Sequence, residues 1–529
     1  MSRFGLPRAD GREPPTSPLA EIARLPSVRP GLADWPLDGG DAIEAVRRAR
    51  AFPDRYLSQA ERARARGGAF AERVIRPAAL EIERRAGADP TYFAWDVLRE
   101  AAADRLLSLM VPRGLGGRGY LTLAVTALLE ELATGCAGLA TTIGVHNIAA
   151  GLIPDPYLLA GYVRPMVEAE RRGEPVLFSG AITEPGAGTD VWDRDFLARG
   201  TIGTRALPVA GGYRLSGRKC FISNGSVARW TVLAAPVDPR RPAETWSLFL
   251  VSTRADGFSV GRIERKLGQK ASPAAELVLD DVFVPAERRI CREGDGARLI
   301  AIYLAASRGP VGAIGVGCAR RALECLIEWA SQRRDGGGRL VDQQWLQMRI
   351  AAMAREIHLA RAACAAACMA CDAMLARVYD AAPVRAALAL LPSALLASRL
   401  GRRIAQSPPF RQLVARALDA IAPPDALAHA SALAAIAKIV GSDCGVAVSG
   451  EALRIMGPDA YAARWPVEKC YRDAKLTQIY EGTNQANAIT QLKCMVANLS
   501  GPADPDGRQA GEPERRAAAV GEEERHVAA

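Results

Sequence analysis

The stretch YRDAKLTQIYEGTNQANAIT, Tyr471 to Thr490, decides how this chain is read. It lies close to the end of an apolar, helix-rich sequence, and Glu481-Gly482-Thr483 interrupts it. Two readings are open. The interruption is a solvated bend between helices, or it presents a carboxylate to something.

Working outward, helical spacing of Phe70, Val74, Ile75, Ala78 and Ile82 marks the region from about Ala60 to Met110. A glycine-rich turn, PRGLGGRGY, follows at Pro112–Tyr120, and helices resume to about Leu159. Near Val176 the texture changes to short β-branched or aromatic runs (YRLSGRKCFISNG, RWTVLAAPV, WSLFLVS, AELVLDDVFVP) between turn residues. Long helices return at Val311–Arg334 and Leu346–Asp380, and again from Ala430 to about Met495. The order is α, β, α, an α+β multidomain chain. We assign an extended N-terminal arm to 1–57, a helical domain to 58–176, a β-domain to 177–292, a C-terminal helical domain to 293–499 with a proline-bearing insertion at 381–428, and a disordered tail to 500–529.

The chain has 529 residues, 49% of them hydrophobic, ample for a large core. Its formal charge of +10 is spread out, and no block of like charge resembles a nucleic-acid arm. The 11 cysteines are odd in number and sit mostly in apolar helical stretches, which reads as reduced thiols in a cytoplasmic protein. Acidic residues come early, with no apolar leader segment. The closest approach to a membrane segment is Ala386–Ser398, too short to span and interrupted by Pro392, so no integral membrane segment is expected.

Cys364, Cys368 and Cys371 have the spacing of an iron–sulfur site but lie inside an alanine-rich helix, where cysteine packs as a small apolar residue. The four histidines, His146, His358, His429 and His526, show no metal-ligand spacing, and no metal is expected. His358 reads as an interhelical histidine; His146 could line a pocket. AITEPGAGTD, Ala181–Asp190, opens the β-domain with Gly186 and Gly188 before Thr189, a pattern that suits close backbone approach to an anion, or else an ordinary loop.

Several segments together resemble the acyl-CoA dehydrogenase family: AITEPGAGTDVWD, GRKCFISNG, KLGQKASPAAELVLDDVFVPAE, SRGPVGAIGVGCARRALE, VPRGLGGRGY and PVEKCYRDAKLTQIYEGTNQ. They run in family order over roughly residues 60–498. The resemblance implies a C-terminal four-helix-bundle-like domain, bound FAD, and α,β-dehydrogenation of an acyl thioester within fatty acid metabolism. In that chemistry a carboxylate removes the proton next to the thioester carbonyl while the β-carbon gives a hydride to the flavin. Such a base works in an apolar site that raises its pKa. Glu481 matches it. Some relatives carry the base just before the arginine matched by Arg308; here that residue is Ser307.

The resemblance also implies flavin contacts. Ile182 and Thr183 match residues along the ring, Gly188 and Thr189 the pyrophosphate pair, Phe221 the stacking aromatic and Ser223 a hydroxyl beside the ring. Arg333 and Gln344 match residues reaching FAD from a neighbouring subunit. Thr483 and Gln485 match flavin-side residues, and Arg308 an arginine bordering the base at the substrate site. A homodimer or homotetramer is implied, with an electron-transfer flavoprotein or similar acceptor. Two departures fall on cross-subunit contacts: Pro458 replaces a usual glycine, and Gly336 a usual phenylalanine.

The competing readings are a flavin monooxygenase or oxidase on the same scaffold, whose members typically lack the glutamate of the terminal signature, and a non-catalytic flavin-fold protein. The carrier, coenzyme A or acyl carrier protein, stays open. Because the flavin motifs imply bound FAD and the cysteine triplet is read as packing, the purified protein is expected to be yellow, with non-covalent FAD and little or no iron or zinc. Stoichiometric iron and sulfide, with activity lost in Cys368→Ala, would overturn that reading.

Overall fold

The computed structural model describes residues 50–199, 202–379, 398–462 and 464–499. The expected arm up to residue 49, residues 381–397 of the insertion, and the tail lie outside the described residues.

The first helices are α1 (Asp54–Phe70), α2 (Arg76–Ala88), α3 (Trp95–Ala103), α4 (Thr122–Gly151) and α5 (Arg164–Arg171). α4 is apolar on all sides and correspondingly buried on all sides. Its N-terminal amides are satisfied from far away in sequence. Asp372 accepts from Thr122 N at 2.7 Å, from Thr122 Oγ1 at 2.6 Å and from Leu123 N at 2.9 Å, which places a carboxylate on the positive end of the helix.

The middle domain is two four-stranded sheets. One has the order β1 (Phe178–Ala181), β4 (Trp230–Pro236), β5 (Trp246–Ser252), β8 (Arg289–Ile290); the other has β2 (Arg205–Val209), β3 (Gly212–Ser223), β7 (Ala274–Pro285), β6 (Phe258–Ile263). Only β1–β4 among these pairs is parallel. Leu215, Ile222, Leu233, Phe249 and Leu277 fill the space between the sheets. His146 on α4 ties this domain to the helices. Phe178 N–H can only donate, so Nδ1 accepts from it at 3.0 Å and Nε2 donates to Leu107 O at 2.7 Å. His146 is therefore a satisfied core histidine, and the pocket-lining reading does not hold.

The C-terminal domain holds α6 (Gly296–Gln332), α7 (Gln344–Tyr379), α8 (Arg399–Gln406), α9 (Pro408–Ile421), α10 (Pro424–Met456), α11 (Val467–Thr477) and α12 (Asn484–Leu499). α6 starts well before the expected Val311 and carries Pro310 in its interior, because apolar contacts along its whole length outweigh the missing N–H. α10 starts at Pro424, inside the segment read as insertion, so α8 and α9 are what the described part of the insertion adds. α6 and α10 meet backbone to backbone: a Cβ at Gly441 would stand 2.4 Å from Gly312 O, and one at Gly315 would stand 2.5 Å from Gly441 O.

Four helical stretches, at 122–151, 296–332, 344–376 and 424–461, have the length and apolarity to cross a membrane, which the sequence reading did not recognise. In the fold their apolar windows are buried to differing extents, most completely in α4 and α6. Cys364, Cys368 and Cys371 are buried on α7; Cys368 Sγ lies 3.0 Å from Thr126 Oγ1, and burial pushes its thiol up to about 12.

Two outcomes follow from this packing. Gly441→Ala is expected to cost about 1–3 kcal/mol by prising α6 from α10. Gly450→Ala in the same helix serves as control, its nearest neighbour being the Tyr471 ring edge at 3.4 Å. Equal melting temperatures would contradict the close contact. Burial also lowers the pKa of His146 to about 4. Between that value and about 6.5 the unfolded chain binds a proton the folded chain does not. The stability from neutral His146 is thus complete above about pH 6.5 and is lost as pH falls towards 4, by roughly 3 kcal/mol. Denaturant titrations of His146→Gln should show a shallower loss across this window.

Candidate active site

Between α11 and α12 the chain reverses through two successive left-handed residues, Glu481 at φ 56° and Gly482 at φ 83°. Glycine adopts this freely. Glutamate does so at a cost of about 1–2 kcal/mol, so the surroundings must impose it. A Cβ at Gly482 would stand 2.9 Å from Thr189 Oγ1 and 3.0 Å from Asn487 Nδ2, so the turn lies hard against the β-domain loop. Asn487 Nδ2 reaches three successive carbonyls, Glu481 at 3.2 Å, Gly482 at 2.9 Å and Thr483 at 3.0 Å. Arg308 Nε donates to Glu481 O at 3.3 Å, and Thr483 Oγ1 caps α12 by accepting from Ala486 N at 3.1 Å. Tyr480 anchors the other side, its hydroxyl 3.3 Å from both Thr141 Oγ1 and Gln269 Nε2.

The Glu481 carboxylate receives one side-chain hydrogen bond, from Ser307 Oγ to Oε2 at 2.8 Å. Burial raises its pKa above the ordinary carboxylate range, and the Ser307 bond, Arg308 and Lys438 offset only part of that rise. Both cations are themselves buried. Arg308, 2% exposed, is lowered to about 10 by burial, against the pull of Glu481. Lys438 is lowered to about 7 by burial and by the charge of Arg308. Its Nζ donates to Asn484 Oδ1 at 2.8 Å, joining α10 to the first residue of α12. A carboxylate with a raised pKa in such a setting can take a proton from a carbon acid.

Of the predicted β-domain residues, Thr189 meets the Gly482 turn, and Ile182 and Thr183 lie against the end of β3 that carries Phe221 and Ser223. Lys219 and Glu184 form a buried pair at 2.9 Å, and Lys219 Nζ also donates to Ile182 O at 3.0 Å, which fixes the chain leaving β1. Thr183 O accepts from Cys220 N at 3.0 Å. The β3–β7 register breaks between Lys219 and Ile222, and Phe221 turns out of the strand there at φ 59° with 59% exposure. Ser223 closes β3 opposite Ala274. An exposed aromatic ring beside Thr183, with Thr189 at the Gly482 turn, suits a planar cofactor carrying phosphates. Gly188 fits less well than its sequence suggested, because its N–H already donates to Asp190 Oδ1 at 2.8 Å.

Arg333 and Gln344 are not brought to this site within one chain. From Arg308 to Arg333 helix α6 runs ~38 Å at about 1.5 Å per residue. Arg333 pairs with Asp459 and lies 5.1 Å over the Trp329 ring; Gln344 is exposed at the start of α7. Gly336 and Gly337, at φ 58° and 92°, make the tight turn of the Arg334–Asp335/Gly338–Arg339 hairpin, the left-handed pair that a two-residue hairpin loop favours. Thr483 and Gln485 are exposed at the start of α12.

Family models for the acyl-CoA dehydrogenase N-terminal, middle and C-terminal domains match residues 58–155, 179–282, and 294–407 with 385–493. Cyclohexane-1-carbonyl-CoA dehydrogenase of Geobacter metallireducens is 31% identical over 426 residues, 78% of this chain and 91% of that one. The chain belongs to the acyl-CoA dehydrogenase family. Probable acyl-CoA dehydrogenase FadE25 of Mycobacterium tuberculosis is 29% identical over 430 residues, covering 81% of this chain and 93% of that one. Butyryl-CoA dehydrogenase from Megasphaera elsdenii superposes with a TM-score of 0.64 at 25% identity, covering 83% and 98%. Acyl-CoA dehydrogenases are FAD-dependent oxidoreductases, and the α–β–α architecture here is theirs.

Sequence reading missed the contacts that hold the Glu481 turn, Ser307, Asn487 and Tyr480, and the nearby charge of Lys438, which is bonded to Asn484. Ser307 was visible only as the absence of a second carboxylate. Removing its hydroxyl takes a donor from the ionised form of Glu481, so Ser307→Ala is expected to move the acid limb of the pH–rate profile upward by roughly one unit. An unmoved limb would contradict the hydrogen bond's role.

Proposed function

We propose that this protein is an acyl thioester dehydrogenase acting on an acyl-CoA, with Glu481 as the base that removes the α-proton. The observation that carries the reading is a single carboxylate of raised pKa on a left-handed turn pressed against the β-domain loop. The turn points Oε2 towards Ser307, and the Glu481 N–H is the donor proposed for the thioester carbonyl, where enolate charge develops. Bound FAD supplies the acceptor for the β-hydride. Ile182, Thr183, Phe221 and Ser223 would hold its ring, and Thr189 its phosphates. The long separation of Arg333 and Gln344 from Glu481 supports their serving the site of a neighbouring copy in a homodimer or homotetramer. Electrons would then leave to an electron-transfer flavoprotein or similar acceptor.

The same scaffold could run as an oxidase or monooxygenase. The half-buried Glu481, its pKa raised, favours dehydrogenation, since oxygen transfer has no need of a carbon-acid base. Anaerobic stopped-flow mixing with a panel of acyl-CoAs tests this: at least one should bleach the flavin, and Glu481→Gln should slow the bleaching by about 10²–10⁴-fold while keeping the flavin bound. If no thioester bleaches it, yet an external flavin reductant supports oxygen transfer, the dehydrogenase reading fails.

A further inference from the structure

A cavity of about 520 Å³ opens where β3, the β7–β8 junction and the start of α6 meet the added helices α8 and α9. Tyr213, Arg289, Arg292, Gln406, Arg411 and Gln412 line it, and no carboxylate among the described residues does. Part of this positive charge is already matched. Arg292 is forked onto Asp295, with Nη2 at 3.1 Å and Nε at 3.3 Å. Arg289 donates to the Tyr213 hydroxyl at 2.6 Å and reaches the exposed Glu293 at 3.3 Å.

The rest is not matched. Arg411 makes no ion pair among the described residues. Its Nη1 and Nη2 donate to backbone carbonyls, Cys291 O at 2.8 Å and Ala286 O at 2.9 Å. The nearby Asp155 is buried and accepts from the Tyr157 and Leu158 amides. Burial and the charge of Arg289 both hold the pKa of Arg411 below its ordinary value. Arg289 Nε is buried and has no acceptor among the described residues. Two guanidiniums in mutual repulsion and a buried N–H without a partner destabilise the fold unless an anion answers them. Guanidinium is also the group that matches phosphate oxygens best. The volume is in the range of small-molecule sites and exceeds what inorganic phosphate needs. Tyr213 and Pro408 add flat apolar surface beside the charges.

We propose that this cavity binds a phosphorylated small molecule of nucleotide size, held by Arg289, Arg292 and Arg411. Two sources share that chemistry. One is the nucleotide end of the coenzyme A thioester, a source that rests on the dehydrogenase reading. From Gly296, four residues after Arg292, to Ser307 helix α6 runs ~17 Å at about 1.5 Å per residue, a span comparable to an extended phosphopantetheine arm. The other is a free nucleotide bound in its own right.

Calorimetry with the FAD-loaded wild-type protein uses adenosine 3′,5′-bisphosphate and ADP as probes and adenosine as the uncharged control. Both phosphates should bind, adenosine should not, and Arg289→Gln and Arg411→Gln should each weaken binding at least tenfold. Arg292→Gln, which removes only a half-exposed ion pair, keeps the test readable if Arg411→Gln does not fold. The ratio of kcat/KM for an acyl-CoA to that for the matching acyl-N-acetylcysteamine thioester separates the sources. A tenfold fall in this ratio in the arginine variants assigns the site to the substrate's carrier; binding with an unchanged ratio assigns it to a free nucleotide. No heat with either phosphate, or binding that the arginine substitutions leave unchanged, overturns the proposal. Because binding is read without turnover, it stands or falls separately from the dehydrogenase reading.

Discussion

The side chain of Asn487 holds the site in shape. The two N–H groups of one amide are shared among three successive carbonyls, and thereby keep Glu481 in a backbone conformation that glutamate does not choose. Without that clamp the turn would relax to a helical or extended path, and the carboxylate would swing away from Ser307. Gly482 supplies the other half of the constraint. It lets the turn approach Thr189 at a distance no side chain would allow. The strain is local and modest, and the cost is offset by burial around it: Tyr480, Arg308 and Asn487 each tie the turn to a different element.

The rest of the architecture makes that clamp possible. Ser307 and Arg308 lie on α6, which is held against α10 by glycine-to-glycine backbone contact. α4 is positioned by Asp372 at its start and by His146 near its end, and His146 is bonded directly to the first residue of β1. The loop leaving β1 is then set by the buried Lys219–Glu184 pair. A chain of short, fully satisfied polar contacts therefore runs from the helical scaffold to the loop that faces the Glu481 turn. Each is buried, so loss of one partner would leave an uncompensated polar group and would be felt at the site.

Much of this was legible in the sequence. The α–β–α order followed from periodicity, and the motif at Tyr471–Thr490 pointed to Glu481 before any coordinates. What was not legible has physical reasons. The start of α6 was placed after Pro310, because local rules penalise proline in a helix while burial along the helix overrides them. The apolar helices were not recognised as long enough to span a membrane, because their hydrophobicity is distributed on all sides and serves packing. Gly188 reads as a free amide in sequence, but Asp190 two residues on takes its N–H. Ser307, Asn487 and Lys438 could not be found by spacing, since their roles depend on contacts between α6, α10 and α12 that only the tertiary fold creates. Gly336, where relatives carry an aromatic residue, takes φ 58° in a two-residue hairpin turn, a local demand that spacing does not reveal.

The claim on which the account rests is that the Glu481 carboxylate, held by this turn, moves the α-proton. The most direct measurement is exchange of the α-hydrogen of a bound acyl thioester with deuterated water, followed by NMR in wild type and Glu481→Gln. The account predicts exchange in the wild type and none above background in Glu481→Gln, with flavin retained in both. Exchange persisting at wild-type rate in Glu481→Gln would show that another group removes the proton and that the turn serves the fold alone.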